Sequence, residues 1–559
     1  MGPQAADVAE IESELERQRP GRWYRLFAGR HPRGISAAGW AVKFANGELQ
    51  CGPVTEIEVH LDPQYPYSQP LVYAKQAFDE FSWPHVESDG MLCLSASRPG
   101  APAADRVMQH LSWACEVLQF TDADRRQSFE REFGSYWAQR SAAGAGAVVS
   151  LLQPEGPTRR ISAWCRNDAK LIVVAEYRDD LAKWLENSGE KANKGTFQSS
   201  WLTWLPQPWL PTEFADRASA LFGNIPDGDV REIVEGRSRI PLIIGVQTCT
   251  GPVLGCIAID ASDVQRIQRS EIRTRPVPLH KLRTAIANGR TVLLKVNRAD
   301  AAWVHGRGHN QLSARLSDMS ATVVGCGAIG GNLARLLVQS GVGSLVLVDP
   351  EEFVFANTSR HVLGSGAVGG MKATALATSL LRDFPHIRSV ESFSKSFQTL
   401  SAIELGRISR TNLLISAGVP YDADAALDVW RRQAAPGLPH LCVWAEEYAL
   451  AGHAVVRFDG DSLLELFDDS GEPCLSATEW PADVAPTIVE AGCGNGFQPY
   501  TAIDLQPIIS MGARMALGVL LGDVTNSRHR LWLGDRARVA SLRGRPSGWF
   551  DRDFAEREI

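Results

Sequence analysis

The stretch ATVVGCGAIGGNLARLLVQSGVGSLVLVD, residues 321–349, limits the possible folds more than any other. An apolar run ends in Gly325-x-Gly327-x-x-Gly330. A helical pattern follows, and a second apolar run closes on Asp349, 24 residues after Gly325. A strand feeding a helix and then a second strand is a βαβ unit, which demands a parallel sheet. The three glycines let backbone N–H groups approach a phosphate at the helix N-terminus. The acid at the end of the second strand stands where it can bind a ribose hydroxyl. NAD, FAD, AdoMet and ATP all fit such a turn, so the turn leaves the ligand open.

A chain of 559 residues is too long for one core, and at roughly 100–200 residues per domain three or four domains are expected. The balance of 44% hydrophobic and 22% charged residues is that of an ordinary soluble protein. Lys+Arg 57 against Asp+Glu 64 leaves −7, which argues against a protein that coats nucleic acid. The N-terminus, MGPQAADVAEIESELERQRPGRW, lacks the apolar core of a signal peptide. No apolar run approaches the ~20 residues that span a bilayer. The longest candidate, PIISMGARMALGVLLG, contains Arg514 and reads as a buried helix. A cytoplasmic protein without nucleic-acid or membrane partners is expected. Its ten cysteines include no C-x-x-C pair, so no zinc ribbon and no protein metal-ligand set is expected, and a reducing compartment fits.

Three regions emerge. In residues 1–145 a charged amphipathic helix precedes the strand-like GWAVKFA, TEIEVHL and PLVYA, and a helical run over 106–140 follows, an α+β order. SAAGAGAVVSLLQPEGPT then marks a boundary. Residues 146–315 carry strands (KLIVVAEY, IPLIIGVQT, GCIAID, TVLLKV) and read as an α/β middle domain. Trp201, Trp204 and Trp209 in that region read as packing. Residues 316–559 form the α/β domain around the glycine turn.

The residues after the turn narrow its ligand. VDPEEFVFANTSRHVLGSGAVGGMKA places Asp349, Glu351, Asn357, Arg360 and Lys372 in one short stretch. A dehydrogenase has no need of Asn, Arg and Lys here. An enzyme that splits ATP between its α and β phosphates needs cations for the leaving pyrophosphate and an amide to orient it. The stretch resembles the adenylation domain of ubiquitin-activating enzymes and the bacterial ThiF/MoeB proteins, whose pattern is G-x-G-x-x-G, then D-x-D-x-V-x-x-S-N-L-x-R-Q, then Lys. The resemblance implies a Rossmann-like adenylation domain that uses ATP with Mg2+ and dimerises through that domain. It makes Asp349 the ribose-binding acid and puts Glu351 in place of the second Asp. Asn357, Arg360 and Lys372 become the phosphate-handling set. His361 replaces the family's Gln, and Val419 stands where the family has a metal-binding Asp, with Asp422 and Asp424 as substitutes. Arg307, upstream of the turn, is a weak candidate for a further nucleotide contact.

A second pattern lies in the N-terminal region. PQYPYSQPLVYAKQAFDEFSWPHVESDGMLCLS, residues 63–95, has prolines around a strand and then Cys93 eight residues after His85. It resembles ubiquitin-conjugating enzymes, with Y-P-x-x-P-P, H-P-N-I and G-x-I-C-L. Tyr65, Pro66, Pro70, Gly90, Cys93 and Leu94 match. The resemblance makes Cys93 a thioester-forming nucleophile, a role suited to a thiolate. His85 stands at the family's Asn, where it can donate one hydrogen bond to an oxyanion or take a proton from an amine.

An activating enzyme needs a cysteine of its own. Cys442 lies in a strand-like run. Cys474 lies in the polar loop DDSGEPCLS, and Cys493 lies in EAGCGNGFQPYTAIDLQPI between glycines and ahead of a helix. Cys493 is preferred for accessibility and for the helix N-terminal field, with Cys474 second. Together the two resemblances point to bacterial fusions of a conjugating-enzyme domain with a ThiF-type domain, of the CBASS antiphage type. These imply a protein C-terminus as substrate, from a cGAS-like cyclic-nucleotide synthase, and a target amine as acceptor. Three other readings stay open: a sulfur-carrier adenylyltransferase, a non-catalytic scaffold for a ubiquitin-like fold, and a nicotinamide oxidoreductase.

Overall fold

The computed structural model describes residues 2–559 except 32, 52–53, 76–77, 80, 99, 142–143, 145, 215–220, 235–238, 261–276, 288, 485 and 490–495. The chain forms two compact units. One gathers Met1–Val149, Pro154–Val174 and Phe197–Asn297, and the other gathers Ser150–Gln153, Ala175–Thr196 and Arg298–Ile559.

The first unit begins with helix Ala5–Gln18, which buries Ile11 and Leu15, four residues apart on one face. Strands Trp23–Leu26, Ala38–Lys43, Glu56–Leu61 and Leu71–Ala74 follow as an antiparallel meander in sequence order. Alternation along Glu56–Leu61 turns Ile57, Val59 and Leu61 inward against Trp40, Val42 and Val107. Helices Ala103–Leu118, Asp122–Arg131 and Phe133–Arg140 complete an α+β arrangement. The proline loop between the last two strands is tied from below by buried Arg106. Its guanidinium donates to the carbonyls of Pro66 (2.8 Å) and Ser68 (2.6 Å) and to Ser97 Oγ (3.1 Å), and stacks over Tyr65.

The same unit contains a feature that the strand strings did not reveal. The middle region is not an α/β layer but a closed seven-stranded barrel. Its strands are Ala147–Ser150, Arg159–Arg166, Leu171–Ala175, Gly195–Leu205, Arg239–Thr248, Gly251–Asp260 and Thr291–Arg298. Trp201–Leu205 runs parallel to Leu242–Val246, whereas Arg239–Thr248, Gly251–Asp260 and Thr291–Arg298 pair antiparallel. A barrel strand covered outside and filled inside reads as an unbroken apolar run, as a parallel strand does, so composition did not separate the two. Trp201 and Trp209 are buried, in one core with Phe129, Phe133 and Trp137 from the preceding helices. Trp137 Nε1 donates to the Leu294 carbonyl at 2.9 Å, and its indole lies where a Cβ on Gly255 would be.

The second unit is built on an eight-stranded sheet. Five parallel strands lie in the order Ser389–Phe393, Ser344–Val348, Ser320–Val324, Leu413–Ala417, His440–Ala445. Ala451–Arg457, Arg528–Leu533 and Ala555–Glu558 extend it antiparallel. From Ser320–Val324 the chain goes to Ser344–Val348 on one side, and later to Leu413–Ala417 on the other. This reversal opens a crevice at the carboxyl ends of the central strands. Helix Ala502–Leu521, the one described helix long and apolar enough to cross a membrane, is 56% buried over that window and packs Leu505, Ile508, Met511 and Met515 into the core of this sheet.

Candidate functional site

The crevice holds the glycine turn. Gly325 has φ +85°, and a Cβ there would sit 2.6 Å from the Ala417 carbonyl. A Cβ on Gly330 would lie 1.8 Å from the Gly325 carbonyl, so only glycine lets helix Gly330–Ser340 start this close to the strand. A Cβ on Gly327 would meet nothing within 4 Å. That glycine faces a cleft of about 360 Å³, lined also by Asp349, Glu351, Lys395, Phe397, Val419 and Asp422. Sequence reading overlooked Lys395, because it arrives from the next strand's exit, 70 residues after Gly325.

Asp349 is buried at the floor. Its Oδ2 accepts the Cys326 N–H at 2.7 Å and its Oδ1 accepts the Glu351 N–H at 2.8 Å. Burial raises its pKa, and the two N–H donors pull the other way. Each oxygen keeps a second acceptor position, which suits a pair of sugar hydroxyls. Lys372, 6% exposed at the start of helix Lys372–Asp383, forms an ion pair with the exposed Glu351 at the rim. Asn357 Oδ1 accepts the Val354 N–H at 3.0 Å, closing the turn before Arg360. Arg360 donates to the Gln498 carbonyl at 3.0 Å and lies over the Tyr500 ring at 4.7 Å. Thus Gly325, Gly327, Asp349 and Glu351 line one cleft, Lys372 joins it through Glu351, and Asn357 and Arg360 stand outside its lining. Arg307 stacks over Trp303 at 5.1 Å and is not in the lining.

His361 supports the turn from behind. Its Nε2 donates to the Cys326 carbonyl at 2.6 Å, and its Nδ1 accepts the Leu363 N–H at 3.0 Å, which sets a neutral tautomer. Burial lowers its pKa accordingly. Val419, expected at the place of a metal-binding acid, lines the cleft, and so does Asp422, three residues on in the first turn of helix Tyr421–Ala434. Asp424 is turned inward to the Cys442 thiol at 3.4 Å. Burial pushes its carboxyl up to about 6, although hydrogen bonds with Ser416 and Cys442 oppose this. Among the described residues no three His, Cys, Asp or Glu side chains gather as a metal cage.

In the first unit, Cys93 closes a hairpin whose other end is His85. The Cys93 N–H donates to the His85 carbonyl at 2.8 Å, Val86 bridges Leu92, and Gly90 turns the chain at φ +83°. The eight-residue spacing is therefore a hairpin register. His85 has φ +59°, a left-handed conformation in which Asn and His are enriched among non-glycine residues. Its backbone N–H donates to Tyr136 Oη (3.0 Å), its Nε2 contacts Ser128 Oγ (2.9 Å), and Glu132 lies 3.7 Å from Nδ1. The Cys93 thiol is exposed. Partial desolvation, then the Glu132 and Glu87 carboxylates, raise its pKa, while Arg33 opposes them.

The other thiols divide by burial. Cys326 and Cys442 are buried, with pKa values pushed well up by desolvation, whereas Cys474 is exposed. Cys493 lies outside the described residues. A clamp that sequence reading missed sits in the chain ahead of it. Buried Glu446 accepts the N–H groups of Ala477 (2.7 Å) and Thr478 (2.8 Å), the Thr478 hydroxyl (2.6 Å) and His453 Nε2 (2.8 Å). Burial would raise this carboxyl, but the donors, His453 foremost, outweigh it and hold it below the ordinary range.

Residues 304–487 match the ThiF family. The C-terminal region carries a ThiF domain. Over 240 residues the chain is 30% identical to the ATP-dependent ubiquitin transferase-like protein Cap2 of Pseudomonas aeruginosa, covering 40% of each. Over 206 residues it is 30% identical to the protein of the same name from Escherichia coli, covering 34% of each. It is 26% identical over 208 residues to the adenylyltransferase and sulfurtransferase MOCS3 of Sus scrofa, covering 37% of this chain and 40% of that one. The chain thus spans well under half the length of these curated relatives. Among solved structures, E. coli MccB with ATP aligns at a TM-score of 0.30 and 15% identity, over 44% of this chain and 64% of that one. The ThiF match contains the whole glycine turn and the stretch from Asp349 to Lys372.

Proposed function

We propose that this protein uses ATP to activate a protein C-terminus, passes it along two cysteines, and joins it to an amine. The observation that carries the first half is the cleft at Gly327, floored by Asp349 with acceptor positions to spare and lined by Glu351, which pairs with Lys372. The substrate carboxylate attacks the α-phosphorus and pyrophosphate leaves. Lys372 exchanges Glu351 for the polyphosphate, and Arg360 meets the charge from the side of Gln498 and Tyr500. Mg2+ would accompany the ATP and supply charge neutralisation at the polyphosphate, and Asp422, one of the acids lining the cleft, would be its protein ligand.

Cys493 then displaces AMP to give a thioester, and Cys93 takes the acyl group as the Cys493 thiolate leaves. Finally an amine attacks the Cys93 thioester, the Cys93 thiolate leaves, and the proton of the attacking amine passes to His85. The N-terminal half of this reading is supported by the helix–meander–helix order, the exposed thiol and the His85 hairpin. The similarity to the Cap2 proteins favours a conjugating route over sulfur transfer. We infer a substrate C-terminus from a cGAS-like cyclic-nucleotide synthase, a homodimer formed through the ThiF domain, and a cytoplasmic setting.

Pyrophosphate exchange with a candidate C-terminal peptide tests the first step. NAD binding without exchange would remove the ATP reading. Non-reducing gels of Cys93→Ala and Cys493→Ala test the relay, and a DTT-sensitive adduct unaltered by either change would refute it. Exchange without any adduct on Cys93 would leave an adenylyltransferase of the sulfur-carrier kind.

A further inference from the structure

We propose that His305 and His386 form a two-histidine site for a divalent transition-metal ion of the zinc type, separate from the nucleotide cleft. His305 follows the short helix Ala301–Val304, and His386 sits between helix Lys372–Asp383 and strand Ser389–Phe393. Their Nε2 atoms converge to 2.9 Å, with ring centroids 4.8 Å apart and planes at 75°. His305 Nδ1 lies 3.1 Å from the Gln339 carbonyl. A carbonyl can only accept, so that nitrogen carries the proton and Nε2 keeps its lone pair. An N–H held by a backbone carbonyl is the outer contact by which metal-binding histidines are oriented. In the metal-free pair the proton between the two Nε2 atoms therefore belongs to His386.

Ligation needs that proton to move from Nε2 to Nδ1 of the same ring. This is a change of neutral tautomer with no net release, and the ion takes the place the proton held. Two Zn–N bonds of about 2.0–2.1 Å separate their nitrogens by about 2.9 Å at a right angle and about 3.3 Å at the tetrahedral angle. The observed spacing thus needs at most a few tenths of an ångström of adjustment, together with a turn of each ring that brings both Nε2 lone pairs off the N–N line onto one ion. Both rings line a cleft of about 530 Å³ with Glu176, Asp180 and Lys183, which leaves room for further ligands. Because no third His, Cys, Asp or Glu side chain gathers with them among the described residues, the remaining positions belong to water or to a bound carboxylate. The site would be open. Paired imidazoles favour zinc, copper or nickel over magnesium or calcium. The location also differs from that of the ATP chemistry. His386 precedes the edge strand Ser389–Phe393, at the amino ends of the parallel strands, and the glycine turn lies at their carboxyl ends.

The test uses the full chain, stripped with chelator and kept reduced, and titrated with Co2+ and then Zn2+. A cobalt spectrum with d–d bands but no sulfur-to-metal charge transfer distinguishes nitrogen ligands from the cysteines. One such equivalent is expected. His305→Ala and His386→Gln should each weaken it at least tenfold and abolish the rise in Tm that Zn2+ gives the native chain. The glutamine amide can still donate to His305 Nε2, so the metal-free His386→Gln protein should melt close to the native one, which separates loss of the site from loss of the fold. Absence of a cobalt spectrum of this type in the native chain, or equal uptake by both variants, would overturn the site.

Discussion

The nucleotide cleft and the Cys93 hairpin are built on opposite principles. The cleft is made of backbone: three glycines, the N–H groups that Asp349 collects, and a helix start held against a strand. The hairpin is made of side chains: one exposed thiol, one left-handed histidine and the two carboxylates Glu132 and Glu87. At Gly325 and Gly330 an added atom costs folding before it costs chemistry. At the hairpin, chemistry can be removed while the fold stands.

Replacing the thiol makes the sharpest cut between them. Cys93→Ala should lower amide product about 1,000-fold or more, the scale on which a lost nucleophile acts, while pyrophosphate exchange stays within about twofold. Product formation and exchange measured on one preparation decide it. A parallel fall in exchange would mean that the two sites are not separable as described.

Two glycines three positions apart should then answer differently. At Gly330 an added Cβ meets a backbone carbonyl at 1.8 Å, so Gly330→Ala should cost about 3 kcal/mol or more in chemical denaturation. At Gly327 it meets nothing, so Gly327→Ala should leave stability within about 0.5 kcal/mol while weakening ATP binding by calorimetry. Equal destabilisation by both changes would remove the distinction between the scaffold and the phosphate-facing part of the turn.

Behind the cleft, Asp424 offers a test in pH. Its folded pKa, about 6, exceeds the ordinary 3.8. An acid raised in the folded state penalises folding most above about pH 6, and the penalty falls away towards about pH 4. At about 1.4 kcal/mol per unit, Asp424→Asn should raise stability by up to about 3 kcal/mol at pH 7.5 and by only about 0.5 kcal/mol at pH 4. Urea titrations at the two values measure it, and a gain that does not depend on pH would contradict the buried-acid account.

The smallest effect is expected at the hairpin's histidine. His85→Asn keeps a residue that tolerates φ +59°, so stability should change by less than about 0.5 kcal/mol, whereas His85→Ala should cost about 1 kcal/mol. Acyl transfer from Cys93 should fall by about tenfold with Ala and less with Asn. Equal rates in all three proteins would reduce His85 to a turn residue.

What was legible in the chain follows from the range of the forces involved. The glycine turn was legible because its constraints are local: a positive φ at Gly325 and a helix start at Gly330, both a few residues from the strand. The tie between His85 and Cys93 was legible because the spacing of eight is a register across a single hairpin. The barrel was not, because closure depends on which strand meets which, and its strands carry the same apolar runs as a parallel sheet. The Glu446 clamp was not, because its donors at Ala477 and Thr478 lie some 30 residues on and have no motif. Lys395 and the inward turn of Asp424 likewise depend on long-range packing.

The chain passes between its two compact units at 149–150, 153–154, 174–175, 196–197 and 297–298. In terms of modularity, this makes the ThiF region a poor cassette. A fragment starting at Arg298 leaves Ser150–Gln153 and Ala175–Thr196 behind. With them goes helix Arg178–Ser188, which packs against Lys372–Asp383, the helix that begins with the lysine paired to Glu351. Excision or grafting has to carry the interleaved segments together. A chimera joined at one linker would strip helix Arg178–Ser188, with buried Leu181 and Leu185, from helix Lys372–Asp383.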